Sequence, residues 1–121
     1  MHITVLSIAH YNLSITGIAE PSSPPLNIEA NATDSRSISL HWDPPLPVDR
    51  NGRIVTYLIN MTAVETGETF ERNTTFTTLN LVLLTPFTTY ELGIAASTEV
   101  GHGPFSEVIF VVTPEDGKRL I

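Results

Sequence analysis

Apolar residues in this chain recur at every second position, and clusters of proline and glycine cut the alternation into short runs. Ser37-Ile38-Ser39-Leu40-His41-Trp42 is the cleanest run. Side chains two apart lie on one face of an extended strand, so Ile38, Leu40 and Trp42 share a face. Pro44, Pro45 and Pro47 then end it, because proline supplies no ladder donor. A period of two leaves no apolar stripe for helix packing. It requires a second sheet to cover the first.

The remaining runs follow the same rule. Residues 26–30 form a first short strand. Asn51-Gly52 marks a turn, since both residues tolerate positive φ. The strand over residues 54–64 places Tyr57, Ile59 and Met61 on one side and Leu58, Asn60 and Thr62 on the other. Thr66-Gly67 turns the chain into a strand near residues 68–72, and residues 76–84 bring Leu79, Leu81 and Leu84 inward. Residues 89–98 carry Tyr90, Leu92, Ile94 and Ala96 inward, and residues 108–113 follow Gly101-His102-Gly103-Pro104 as the last strand. Seven strands at hairpin-like spacing, with no helical stretch, predict an all-β, two-sheet antiparallel sandwich.

Composition narrows the chemistry. Thirteen acidic against six basic residues give a net charge of −7, which disfavours nucleic acid or sulfated polysaccharide as partner. The absence of cysteine removes disulfides, Cys-ligated zinc and thiol nucleophiles. No apolar run reaches the ~18–20 residues of a helical membrane span. His2, His10, His41 and His102 have no metal-ligand spacing, and no glycine-rich loop joins a strand to a helix. No catalytic residue, metal or cofactor is expected; a small sandwich filled by its own side chains offers no cleft for paired carboxylates or a Ser-His-Asp site.

Several motifs in order resemble the fibronectin type III domain. Pro24-Pro25-Leu26-Asn27-Ile28 resembles its first strand, and Ile38-Ser39-Leu40-His41-Trp42-Asp43-Pro44-Pro45 its second. Asn51-Gly52-Arg53-Ile54 with Tyr57 and Ile59 matches the third. Leu84-Thr85-Pro86-Phe87-Thr88-Thr89-Tyr90 resembles the run into the tyrosine corner, and Gly101-x-Gly103-Pro104-x-Ser106 the turn into the last strand. The resemblance implies an immunoglobulin-like seven-stranded sandwich with Trp42, Tyr57, Leu84, Pro86 and Tyr90 as its core signature. It also implies a domain over residues 22–114. Residues 1–21 then read as the remnant of a preceding repeat plus linker, and residues 115–121 as a C-terminal linker. Without a basic n-region or an unbroken apolar block, the N-terminus does not read as a signal peptide.

Four Asn-x-Ser/Thr sequons place candidate N-glycans at Asn12, Asn31, Asn60 and Asn73. Asn31 is expected in a loop, Asn73 in a connection, and Asn60 on the outward side of its strand, where a glycan clears the core. They point to an extracellular or cell-surface location. A protein-contact face is expected around Leu58, Gly93 and Ala95, with Ile109 and Val111 added in one register of the last strand. Small Gly93 and Ala95 let another backbone approach, and apolar neighbours favour protein contact. A mildly apolar surface, or a patch shielded by a glycan on Asn60, are the competing readings.

The resulting expectation is a non-catalytic extracellular interaction and spacer module of a cell-adhesion or receptor protein. Its partners would be adjacent repeats and another extracellular or cell-surface protein, with membrane contact only through other parts of a longer chain. The alternative is an accessory ectodomain of a receptor tyrosine phosphatase whose catalytic domain lies outside this chain.

Overall fold

A computed structural model describes residues 17–117 and contains two antiparallel sheets. In chain order the strands are β1 (Leu26–Asp34), β2 (Ser37–Asp43), β3 (Thr56–Ala63), β4 (Thr69–Thr74), β5 (Thr78–Leu81), β6 (Thr89–Ser97) and β7 (Ile109–Val112). One sheet has the order β1-β2-β5 and the other β4-β3-β6-β7. A single 3-10 turn at Pro47–Asp49 is the one helical feature among the described residues. The all-β sandwich read from the alternation is therefore the fold observed.

Alternation sets the core. Ile38, Leu40 and Trp42 from β2 meet Tyr57, Ile59 and Met61 from β3 and Tyr90, Leu92 and Ile94 from β6, all buried. Each such aliphatic or aromatic side chain contributes about 1.5–3 kcal/mol by leaving water. Trp42 and Tyr57 bridge the sheets edge to face, with ring centroids 5.4 Å apart.

β1 and β4 extend beyond their expected ends, because pairing with a neighbour continues past the apolar positions. β1 runs to Asp34, and Asn31 pairs with Ser39 inside it rather than standing in a loop. β4 runs to Thr74, so Asn73 pairs with Leu58 rather than lying in a connection. A bulge interrupts β1, where Leu26 faces Asp43 and Glu29 faces His41. Asn27 takes φ 53° within it, and its Nδ2 donates to Asp43 Oδ2 at 2.9 Å. After β5, Leu83 turns outward at φ 60° while Leu84 returns to the core, its N–H bonded to the Arg36 carbonyl.

The chain is tied at opposite ends of the sandwich. Ala19 is buried; its N–H donates to the Asn51 carbonyl at 2.9 Å, and its carbonyl accepts from Thr98 Oγ1 at 2.7 Å. Ser22 N–H donates to the Asp49 carbonyl at 2.8 Å. Residues 18–22 thus dock on the β2–β3 and β6–β7 loops, and the expected boundary between 21 and 22 falls inside a docked segment. At the other end Phe87 N–H reaches the Pro114 carbonyl, and Asp116 binds Ser35 and Arg36 of the β1–β2 turn.

Candidate functional site

The outer face of the four-stranded sheet carries a concavity. Asn60 points outward from the middle of β3, with Glu71 of β4 and Gly93 of β6 as its cross-strand neighbours. Two positions on, Thr62 lies between Thr69 and Glu91. Beyond β6 the chain returns toward β7 and extends the sheet. Gly103 N–H donates to the Ala96 carbonyl, Ser106 N–H donates to the Ile94 carbonyl, and Ile94 N–H donates to Ser106 Oγ, all at 2.9–3.0 Å. These bonds lay Phe105 over Gly93, where an added Cβ would stand 3.7 Å from the Phe105 Cβ and Cδ1. Asn60 and Glu71 on one side, and Phe105 and Val108 on the other, enclose a groove of about 550 Å³.

This arrangement corrects the contact face expected from the sequence. Gly93 and Ala95 are buried, Val111 is 8% exposed, and Leu58 and Ile109 are half-buried. Pairing of Leu92 with Ile109 and Tyr90 with Val111 fixes the register of β7, so Ile109 and Val111 face the core as their partners do. The apolar side chains β7 and its approach present to solvent are Val108, Phe110 and Val112. Small residues in β6 do admit a close backbone, but it is the chain's own segment 103–106 that occupies the space. The sequence reading missed Phe105; glycine in mid-strand, facing outward, was the signal that something packs above it.

Asn31, Asn60 and Asn73 are exposed on their strands, and Asn12 lies outside the described residues. Of the core-signature residues, Trp42, Tyr57, Leu84 and Tyr90 are buried and Pro86 is half-buried. Burial pushes the Tyr57 phenol above its usual range, an effect opposed by the nearby Arg50 charge.

The titratable groups are dispersed. His41 Nε2 pairs with Glu29 Oε1 at 2.8 Å on the open face of the other sheet. His102 Nδ1 contacts the Gly103 carbonyl, and its ring tilts against Phe105. Glu65 accepts the Thr89 backbone N–H at 2.9 Å, which holds its carboxyl below the ordinary value. Asp116 is lowered by the Ser35 hydroxyl at 2.6 Å and, secondarily, by Arg36. Among the described residues no three His, Asp or Glu side chains come together as a metal site requires. The arrangement offers surfaces for contact, and the Glu65 and Asp116 carboxylates serve hydrogen bonds of the fold.

Residues 23–112 match the family model of the fibronectin type III domain. The chain is 45% identical over 101 residues to the tyrosine-protein phosphatase Lar of Drosophila melanogaster, covering 79% of this chain and 5% of that protein. It is 37% identical over 100 residues to the cell adhesion molecule DSCAM of Gallus gallus, again covering 79% of this chain and 5% of that protein. The chain thus spans about a twentieth of the length of these relatives. The crystal structure of the FN5 domain of Drosophila Lar superposes with a TM-score of 0.64 at 32% identity, covering 78% of this chain and 97% of that one.

Proposed function

This chain belongs to the fibronectin type III family, and we propose that it acts as a non-catalytic extracellular module that spaces neighbouring domains and contacts other proteins in a cell-adhesion or receptor protein. The observation that carries the spacing role is the pair of tethers at opposite ends of the sandwich. Ala19 is fixed to Asn51 and Thr98 where the chain enters, and Asp116 to Ser35 and Arg36 where it leaves. A module held at both ends transmits orientation between its neighbours, which a flexible linker does not. Its similarity to a receptor phosphatase and to an adhesion molecule supports placement at the cell surface.

The 45% identity to Lar favours one specific version: an accessory ectodomain of a receptor tyrosine phosphatase whose catalytic domain lies elsewhere in the polypeptide. Full-length transcript sequencing tests both. A membrane span followed by a phosphatase domain selects the second version, and further repeats with a membrane anchor alone select the first. A reading frame of cytosolic character throughout contradicts both.

A further inference from the structure

We propose that the groove on the four-stranded face is the seat of an N-linked glycan carried by Asn60, with the first N-acetylglucosamine packed on Phe105. The inference rests on the extracellular reading above. Asn60-Met61-Thr62 is a complete sequon, and its strand alternation turns Asn60 and Thr62 to the same outer face. Asn60 also forms part of the groove wall, so a sugar on its Nδ2 emerges directly into that space. Its cross-strand partner is Gly93, which has no side chain to obstruct the path, and Phe105 lies over Gly93 one strand farther on. Strands are about 4.8 Å apart, so a ring lying over Gly93 stands between roughly one and two strand spacings from the attachment point.

The lining suits a pyranose. Phe105 and Val108 present apolar surface to the C–H face of a sugar ring. Glu71 and Glu91 offer acceptors to its hydroxyl and amide donors. A second copy of the chain is a poorer occupant, because each copy carries a net charge of −7 and both would bring carboxylates to the contact. Transfer takes place from a polyprenyl-diphosphate-linked oligosaccharide. Asn60 Nδ2 bonds to the sugar C1, the C1–O bond to diphosphate breaks, the lipid diphosphate leaves with that electron pair, and the amide gives up one proton.

The test uses the wild-type chain and a background carrying Asn12→Gln, Asn31→Gln and Asn73→Gln. Both are secreted from a eukaryotic host and trimmed enzymatically to one N-acetylglucosamine. The expected results are occupancy at Asn60 by mass spectrometry and a melting temperature a few degrees above that of the identical bacterial protein. Phe105→Ala is expected to remove the increment. Independently of that variant, nuclear Overhauser contacts are expected between the sugar protons and the Phe105 ring. An empty Asn60 beside an occupied Asn31 or Asn73 overturns this inference and leaves the extracellular reading standing. Wild-type protein empty at all four sequons counts against both. An increment that survives Phe105→Ala, or a sugar without contacts to the ring, also overturns it.

Discussion

The Tyr90 hydroxyl accepts a hydrogen bond from the Thr85 backbone N–H at 2.8 Å, closing the loop between β5 and β6. Thr85 is held from its other side too, because its carbonyl accepts from the buried Thr113 hydroxyl at 2.8 Å. One loop residue thus joins β6 to the end of β7. Tyr90→Phe keeps the ring and removes the acceptor, leaving the Thr85 N–H unpaired. Because Thr85 is exposed and water can reach it, the loss is expected to be about 0.5–1.5 kcal/mol. Urea unfolding checks it: the midpoint falls while the slope stays constant. An unchanged midpoint would remove the corner from the account of stability.

Trp42 is 2% exposed, and its indole Nε1 has no hydrogen-bond partner among the described residues. Two opposing terms follow: a large apolar gain and the cost of an unpaired buried donor. Trp42→Ala is expected to lose about 3–5 kcal/mol. Trp42→Phe keeps an aromatic ring opposite Tyr57 and discards the unpaired N–H, so its loss is expected to be less than half as large. Equal losses in the two variants would show that a phenyl ring opposite Tyr57 recovers none of the packing lost with the indole.

Gly103 marks the point where the entering chain crosses the β6–β7 loop. A Cβ there would collide with the Pro21 carbonyl. Gly103→Ala is expected to lift residues 18–22 from the sandwich and spare the core. Hydrogen exchange reads this directly, since the Ala19 amide bonded to Asn51 should lose protection while the β3 and β6 amides keep theirs. Uniform loss of protection, or none, would separate the tether from this contact.

Glu65 and Asp116 both sit below their ordinary pKa values of 4.5 and 3.8 in the folded chain. Lower folded values mean that their contribution is fully present above the unfolded pKa and is lost as pH falls through the folded one. Stability is therefore expected to stay level from neutrality to about pH 5 and to decline below about pH 4. The double variant Glu65→Gln, Asp116→Asn should show a shallower acid decline in chemical denaturation. An identical pH profile would contradict the assignment.

Strand type and inward faces were legible because one residue in two is apolar and prolines punctuate the runs. The tyrosine corner was legible only through the resemblance of Leu84-Thr85-Pro86-Phe87-Thr88-Thr89-Tyr90 to the family's run into it. Strand ends were not: β1 continues to Asp34 through residues whose pairing with β2, rather than apolar pattern, holds them. The register of β7 was ambiguous because Val108 to Val112 are all apolar, and alternation cannot be seen in an unbroken run. Pairing with Tyr90 and Leu92 resolves it. Outward-facing Gly93 signalled that something packs above it, but that the occupant is Phe105 depends on backbone bonds from Gly103 and Ser106, which no local periodicity encodes.

The proposed function requires this domain to face the exterior of the cell. An antibody raised against the folded domain, applied to intact cells expressing the native protein, tests it most directly. Surface labelling without permeabilisation is the expected result. Labelling that appears only after the membrane is opened, on protein carrying no N-glycan, would contradict it.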